Sequence, residues 1–410
     1  MNAGSLIIKA VLVLVLATAG VVQFRFGIRE QLSFSDTAEH TGPSQLTSPH
    51  ALTGAAKKKH LFEADLDGAL ALLKKALAAN TTYMPAWLSL VELYNDMGRR
   101  KLCLLALSRV HALTEGLNRY RWEKTVVAYQ IGQTELLPRE LHDIIFEIPG
   151  KTRNDALRLA FTMWKTADDL LANVGEDNLI HLFNYGVRTS RPDLALSFWQ
   201  DMVNGGVDYR DGELLALIDM LLRENRVADA GGIWHSRFFP EEALYNGDFT
   251  QPLLKKGFGW RLNTSHDYEY RVEPVPQNGV AGIVHLRFKG WKNINFAHLY
   301  QIVPLSRGQH YTFAVDMKSR SLSTNERPFW EITGYKCDGA KTAVTDMAAP
   351  NSDDYESYSV DFTVPDECAA VMVRLRRKPS NHLDNKISGQ LWLKNPAISR
   401  SYKDVLTGEP

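Results

Sequence analysis

The spacing of apolar residues changes across the stretch Tyr245–Trp260. From Leu61 to about Phe238, apolar residues recur three and four positions apart, which is the period of an amphipathic helix. From Val272 onward they alternate with polar residues, which is the period of a strand with one buried face. The stretch between these regions contains Asn246-Gly-Asp and two further glycines, which are turn residues. We therefore predict a multidomain α then β chain and interpret the stretch as the first strand and turn of the β domain.

Short polar loops divide the helical part, for example Asn80-Thr-Thr, Gly98-Arg-Arg and Asn204-Gly-Gly. A helical pair cannot bury its apolar stripe alone, so neighbouring pairs must stack. This predicts an α-solenoid of helical hairpins over residues 60–240. Aromatic residues at helical spacing are core residues by default. We interpret five tryptophans as packing residues between helices: Trp87, Trp122, Trp164, Trp199 and Trp234.

One register repeats at the start of the helical part. The first triplet of apolar positions is Ala69, Leu73 and Ala76. The same spacing recurs 34 residues later as Cys103, Leu107 and Val110. Between the triplets stand Trp87, Leu90, Tyr94 and Gly98. The pattern resembles one full tetratricopeptide repeat with a half repeat before it, from Asp65 to Leu113, although Val91 and Glu115 depart from it. The resemblance implies a surface that binds a protein or peptide partner.

Seven alternating runs come after the helical part, separated by turn signals such as Ser306-Arg-Gly-Gln and Pro365-Asp. They are Ile283–Phe288, His298–Val303, Tyr311–Lys318, Phe329–Thr333, Tyr355–Val364, Ala369–Arg376 and Gly389–Leu393. Runs of this length and period predict an antiparallel β-sandwich of about seven to nine strands over residues 243–402.

Asn246-Gly-Asp-Phe followed by Gly259-Trp260 resembles the opening of the jelly-roll carbohydrate-binding modules of families four, nine and twenty-two. Further matches are Tyr300–Leu305, Arg307–Tyr311, Tyr358–Pro365 and Leu391–Leu393. The resemblance covers nearly all of residues 244–401. It implies a galactose-binding-like jelly roll that contacts a polysaccharide or oligosaccharide. The same sandwich also serves structural and protein-binding roles, so the fold alone does not assign a ligand.

Strand parity separates core positions from outward positions in the β domain. Sugar recognition uses planar polar groups for the hydroxyls and an aromatic surface for the ring face. We predict a glycan site on the sheet face formed by Asp316, Glu331, Arg374 and Arg376, with Trp291 as its aromatic residue. The alternative interpretation is a solvated, salt-bridged sheet face.

The carbohydrate-binding modules often hold a structural calcium near the first and last strands. Here Thr250 and Lys394-Asn395 stand where acidic residues are common, and a lysine disfavours a hard dication. We therefore predict no metal, and we predict no cofactor. Of the three cysteines, Cys103 lies in a helical apolar pattern and is expected in the core. Cys337 and Cys368 can pair only if their strands are adjacent and the domain lies outside the cytoplasm.

Residues 1–32 contain the apolar segment Leu6–Phe24. With Lys9 extended toward the headgroups, its nineteen residues are enough to span a membrane. We predict an uncleaved anchor. A signal peptide cleaved after Ala19 is the alternative, because Ala17-Thr-Ala has the small-residue cleavage pattern; a buried core helix is a third. Residues 33–59 lack periodicity and are predicted to be a flexible linker, and residues 403–410 a tail.

Lys plus Arg and Asp plus Glu both total 47, so the chain has no net charge to attract nucleic acid. No nucleophile elbow or phosphate loop appears, so we do not predict an enzyme. The leading hypothesis is a non-catalytic accessory protein of the cell envelope, anchored in the inner membrane, that acts in polysaccharide synthesis or export. Its helical repeats would dock a protein partner and its sandwich would contact glycan. The alternatives are an interaction scaffold whose sandwich binds no sugar, and a glycan-modifying enzyme.

Overall fold

The computed structural model describes residues 48–273, 282–337 and 343–401. Contacts divide the chain into two compact units, residues 1–182 and residues 183–410. The predicted boundary near residue 240 separates helices from strands, but the units do not divide there, because the last helices belong with the sandwich. The predicted anchor, Leu6–Phe24, and the predicted tail lie outside the described residues. Within the described ranges, no helix is long and apolar enough to cross a membrane.

Twelve α-helices occur in the described residues, and the division between the units falls within the ninth. They are α1 Pro49–Leu61, α2 Leu66–Ala79, α3 Met84–Asp96, α4 Arg100–Thr114, α5 Arg121–Gln130, α6 Leu137–Glu147, α7 Lys151–Met163, α8 Ala167–Val174, α9 Leu179–Arg188, α10 Pro192–Asn204, α11 Asp211–Arg223 and α12 Val227–Arg237.

The predicted linker is wrong over residues 49–59, which belong to α1. The Ser48 side chain accepts a hydrogen bond from the Ala51 N–H at 3.1 Å, which caps the helix. Pro49 stands at the start, where its missing N–H has no cost. Only a narrow stripe is buried, including Leu52 and Ala56, and the last turn is basic. This small apolar stripe, between lysines and small residues, is why the sequence pattern did not indicate a helix.

The two recurring triplets occupy buried positions on α2 and α4. Between those helices, α3 has Leu90 buried and Trp87 and Tyr94 partly exposed. The turn after α3 uses Gly98 at φ 70°, a conformation that favours glycine. The chain therefore forms helical hairpins here, and the tetratricopeptide assignment stays a resemblance. Of the five tryptophans expected between helices, Trp199 and Trp234 are buried and the other three are partly exposed.

Ten strands occur in the described part of the β region. They are β1 Arg261–Leu262, β2 Tyr268–Glu273, β3 Ile283–Lys289, β4 Leu299–Pro304, β5 His310–Arg320, β6 Phe329–Gly334, β7 Ala343–Val344, β8 Glu356–Thr363, β9 Ala370–Arg376 and β10 Ser388–Arg400. They form two five-stranded antiparallel sheets, ordered β1-β4-β9-β6-β7 and β2-β3-β10-β5-β8. Each of the seven predicted runs overlaps a strand, so the α then β order is confirmed.

The facing sides of the two sheets bury a large aromatic core. Trp260 and Trp330 are both fully buried, with ring centroids 6.0 Å apart, and Phe313 lies 5.2 Å from Trp330. The predicted parity holds on β5, where alternate residues from Tyr311 to Met317 enter this core. The predicted first strand is wrong, because residues 245–260 form turns, bends and irregular backbone, and β1 begins only at Arg261.

Trp234 of α12 joins the last helices to the sandwich. Its ring is 1% exposed and lies 5.2 Å from Tyr245 and 5.7 Å from Phe258, centroid to centroid. Gly257 has φ 53°, and a Cβ there would lie 3.1 Å from the indole, so the chain needs glycine at this turn. Asp219 of α11 accepts from the Gly257 N–H at 2.8 Å. The stretch predicted as a strand is therefore the connection between helices and sheets.

Polar contacts reinforce this connection. Lys336 Nζ donates to the Leu222 carbonyl at 2.7 Å, which satisfies the last turn of α11. Glu242, just after α12, accepts from the Tyr311 hydroxyl at 2.7 Å and pairs with Arg400 at 3.1 Å. Burial tends to raise the pKa of Glu242, but its hydrogen bonds and ion pair outweigh burial and leave the pKa lowered. Helices α11 and α12 are thus fixed to the sandwich by both apolar and charged contacts.

A disulfide joins Cys337, after β6, to Cys368, before β9, with Cα atoms 5.4 Å apart. These strands are paired neighbours, so their ends bring the two cysteines together. Cys103 is buried and free on α4, as its apolar pattern predicts.

Replacing Cys337 and Cys368 by alanine is expected to lower the free energy of unfolding by about 3–4 kcal/mol. The reason is that the bridge spans 31 residues and restricts the unfolded chain. Urea unfolding under non-reducing conditions measures the change, with Cys103→Ala as the single-site control that removes no cross-link. Equal unfolding midpoints for the wild type and the double variant would contradict the bridge.

Candidate functional site

The five predicted ligand residues do not share one face. Glu331 on β6 and Arg374 and Arg376 on β9 point outward from the first sheet, whereas Asp316 on β5 points outward from the second. Trp291 lies in the loop just after β3, a strand of the second sheet. The predicted common face is therefore wrong. Parity along a strand tells whether a side chain points into or out of the sandwich, but not which of the two sheets contains it.

Glu331 forms an ion-pair cluster with both arginines of β9. It lies opposite Arg374 in the strand register and accepts a hydrogen bond from Arg374 Nε. The same carboxylate oxygen lies 3.7 Å from Arg376 Nε, and Arg376 also donates to Asn295 at 2.5 Å. Glu331 is only 7% exposed, so its charge depends on these partners. This is the geometry of a salt-bridged sheet face, the alternative interpretation of these residues.

Helix α12 covers part of the same side of the first sheet. It contacts β4 and β9, and a Cβ at Gly231 would lie 3.2 Å from Pro304. Ile302, at an outward position of β4, is only 4% exposed. Part of the surface of the first sheet at these strands is therefore occupied by the protein itself.

The outward side chains of β2, β3, β10 and β5 form what we call the second-sheet face. Trp392 on β10 lies opposite His285 on β3, and their rings stack with centroids 4.7 Å apart and planes inclined by 3°. Gln390 Oε1 lies 3.0 Å from His285 Nε2. Trp392 and His285 are both partly exposed. The stack covers one face of each ring, and a sugar ring can pack only on a face that the stack leaves uncovered.

Three arginines surround this stack. The register places Gln390 between Arg287 of β3 and Arg320 of β5, and places Arg271 of β2 opposite His285. All three arginines are exposed. Directly opposed residues in a sheet have Cβ atoms about 5 Å apart, so one ligand can reach the aromatic stack and the guanidinium groups together.

A cavity of about 550 Å³ adjoins this face and includes Trp291. Trp291 is 60% exposed, and Lys289 Nζ lies 4.8 Å from its ring centroid. Lys289 also pairs with Glu269 at 3.1 Å. Since Arg287 and Gln390 line the same cavity, Trp291 extends the second-sheet face beyond the stack.

The other end of the second-sheet face carries carboxylates together with Lys394. Tyr355 lies there, with Lys394 Nζ 4.0 Å from its ring centroid. Burial is the main reason that the pKa of Tyr355 is raised, and the charges of Glu273, Asp354 and Asp316 raise it further. The face is thus polarised, with carboxylates near Tyr355 and arginines near Gln390.

Thr250 and Asn395 stand at positions where carbohydrate-binding modules often have acidic calcium ligands, and here both form hydrogen bonds with neighbouring side chains. Thr250 donates its hydroxyl to Asp248 at 3.0 Å, and Asn395 donates to Asp316 at 3.0 Å. In the described parts of the chain, no group of three or more His, Cys, Asp or Glu residues could hold a metal ion.

The sequence contained a signal for this face that the prediction did not use. Leu391 and Leu393 bracket Trp392, and the alternation in β3 leaves His285 and Arg287 outward. What the sequence lacked was strand order. Only the pairing of β10 between β3 and β5 brings these scattered positions together.

The chain is similar in fold to solved carbohydrate-binding modules. One, described as "CBM4 structure and function", matches at 16% identity and TM-score 0.25, over 38% of this chain and 99% of that module. The CBM22-1 xylan-binding domain from Paenibacillus barcinonensis Xyn10C matches at 8% identity and TM-score 0.23, over 37% of this chain and 90% of that domain. The enzymatically active domain of bacteriophage CBA120 tailspike protein 4 matches at 12% identity and TM-score 0.27, over 38% of this chain and 21% of that chain. No family model and no curated protein matches the chain.

Replacing Arg374 by alanine is expected to lower the free energy of unfolding by roughly 1–3 kcal/mol, because it leaves the nearly buried Glu331 carboxylate without its main partner. Thermal unfolding measures this change. Arg320→Ala, which removes an exposed arginine from the second sheet, is the matched control and should change stability by under about 0.5 kcal/mol. Equal stability of both variants would show that the Glu331 cluster contributes nothing.

Proposed function

We propose that the second-sheet face binds a glycan and that the protein is a non-catalytic accessory of extracellular or cell-surface polysaccharide synthesis or export. The observation that supports glycan binding most directly is the His285–Trp392 stack with Gln390 and three exposed arginines around it. Aromatic rings accommodate the apolar face of a sugar, and planar polar groups bind its hydroxyls. The sequence resemblance to jelly-roll carbohydrate-binding modules points to the same class of ligand.

The first unit supports a role in docking a protein. A groove of about 650 Å³ lies along α2, α3 and α4, with Trp87 and Tyr94 among its lining residues. Leu102 and Leu105 of α4 line it as well, and Leu105 is 66% exposed. Exposed apolar side chains grouped in a groove are typical of a surface that another protein covers. A protein partner is therefore part of the proposal.

Placement in the cell envelope, outside the cytoplasm, is the third part. The Cys337–Cys368 disulfide fits an oxidising compartment. The apolar segment Leu6–Phe24 fits an anchor that holds the folded units near a membrane. An interaction scaffold whose sandwich binds no sugar remains the competing function, and the two differ in whether the second-sheet face retains polysaccharide.

Replacing Trp392 by alanine in the full chain is expected to weaken glycan binding roughly tenfold, because the loss of an aromatic stacking partner costs about 1.5 kcal/mol. Affinity gel electrophoresis in gels containing polysaccharide measures the retention. Tyr129→Ala removes an exposed aromatic residue of the first unit and is the control. Trp392→Phe keeps a ring and should keep part of the retention. If the wild-type chain is retained by no polysaccharide gel, the scaffold function is favoured instead.

Alkaline phosphatase fused after Ser33 is expected to be active in a bacterial host, because that enzyme needs disulfides that form outside the cytoplasm. A β-galactosidase fusion at the same residue is the reciprocal control and should be inactive. Resistance of the full chain to carbonate extraction would distinguish the anchor from a signal cleaved after Ala19. An inactive phosphatase fusion would show that the segment does not direct export.

A further inference from the structure

Three arginines of the second-sheet face make no direct polar contact with the described parts of the chain. Arg271, Arg287 and Arg320 are exposed, and none makes a hydrogen bond or an ion pair with the residues that the structure describes. Arg374 and Arg376 of the first sheet differ, because both contact Glu331. The guanidinium groups on the second sheet are therefore available to a ligand, whereas those on the first are already used.

The carboxylates of the same face are directed to other groups. Glu269 pairs with Lys289 at 3.1 Å, and this hydrogen bond is the main reason that the pKa of Glu269 is lowered; the charges of Arg287 and Arg271 lower it further without a direct contact. Asp316 accepts from Asn395 at 3.0 Å. Glu273 lies 3.9 Å from the His285 ring nitrogen. The arginine end of the face thus has positive charge that its own acidic residues do not neutralise by direct contact.

The arginines are spaced along the face rather than gathered at one point. Arg287 and Arg320 flank Gln390 on either side of β10, so their Cα atoms are about 10 Å apart by the usual strand spacing. Arg271 stands diagonally across from Arg287 on the neighbouring strand, about 7–8 Å away by the usual sheet geometry. A ligand that engages all three must present negative groups repeatedly along its length.

We infer that the glycan bound by this face is anionic and presents carboxylate or sulfate groups to Arg271, Arg287 and Arg320 while a sugar ring packs on Trp392. The inference rests on the proposed glycan-binding function and specifies its substrate class. A planar guanidinium binds a carboxylate or sulfate through two parallel hydrogen bonds, which a neutral hydroxyl cannot match.

The net charge of the whole chain is zero, so long-range attraction does not explain such binding. The attraction must come from the local arrangement of the three arginines. A triple change of distant arginines therefore provides a control with the same change in net charge: Arg139, Arg191 and Arg307 all lie outside this face.

The test uses affinity gel electrophoresis of the full chain with matched pairs of polysaccharides. Polygalacturonate is compared with its carboxyl-reduced, neutral form, and dextran sulfate with dextran. Wild-type protein is expected to be retained by at least one acidic gel, about a thousandfold more strongly than the triple variant Arg271→Gln, Arg287→Gln, Arg320→Gln, since each of the three lost charged contacts costs roughly tenfold in affinity. Retention should fall as sodium chloride is raised, because salt screens exposed charges.

The polysaccharide pairs distinguish the source of the negative charge. Retention by polygalacturonate indicates a carboxylate, and retention by dextran sulfate alone indicates a sulfate ester. The control triple variant should bind like the wild type. Unchanged thermal unfolding of the test variant should show that the three side chains are not needed for folding.

Three outcomes would overturn the inference. The first is equal retention by the acidic and neutral forms that is lost in Trp392→Ala but kept in the triple arginine variant. This result would support glycan binding but show that the glycan need not be anionic. Retention by single-stranded DNA gels alone, dependent on the same arginines, would replace glycan by nucleic acid. No retention of the wild type by any gel would remove both the proposed function and this inference.

Discussion

The position of Trp234 determines which surface of the sandwich is available. Its buried indole packs against Tyr245 and Phe258, which fixes α12 beside the first sheet. Because α12 contacts β4 and β9, part of the outer side of those strands is covered by the protein's own helix. The second sheet, built on β3, β10 and β5, then presents the exposed aromatic and basic side chains. One packing interaction between helix and turn thus makes the two outer faces of the sandwich unequal.

The charged groups of the sandwich differ in the same way. On the first sheet, Glu331 is nearly buried, so its carboxylate must be paired, and Arg374 and Arg376 provide that pairing. An arginine held in this way stabilises the fold and has little capacity left for a ligand. On the second sheet, the exposed arginines have no such partner among the described residues. A binding surface differs from a structural one in that its arginines keep hydrogen-bond donors that no other residue uses; the number of arginines does not make the difference.

Much of the fold could be predicted from period and parity. Alternation located the strands, and it correctly assigned Tyr311 and Phe313 to the core, because a half-buried strand imposes a period of two. The helix at Pro49–Leu61 was missed because its buried stripe is narrow and made largely of small residues. The prediction that Asp316 and Arg374 lie on one face was wrong for a different reason. Strand order depends on contacts between distant segments, and no local pattern encodes which sheet a strand enters.

Arg377 shows how a residue that contacts no ligand can determine the geometry of a binding cavity. It directly follows the last residue of β9, continues the parity of that strand's core residues, and has a fully buried side chain. Burial lowers the pKa of Arg377, with the charge of Glu326 acting in the opposite direction, but a guanidinium stays protonated in proteins. Such a buried charge is tolerated only if its donors are satisfied.

The acceptors of Arg377 come from separate loops. Its guanidinium donates to the Asn293 side chain at 2.7 Å, to the Ile294 carbonyl at 2.6 Å and to the Asn385 carbonyl at 2.7 Å. The first two lie shortly after Trp291, and the third precedes the start of β10, so Arg377 fixes two segments that adjoin the cavity beside Gln390. Loops held in this way lose little freedom when a ligand binds, which lowers the entropic cost of binding. The preorganisation of the second-sheet face therefore depends on a buried side chain at the end of the opposite sheet.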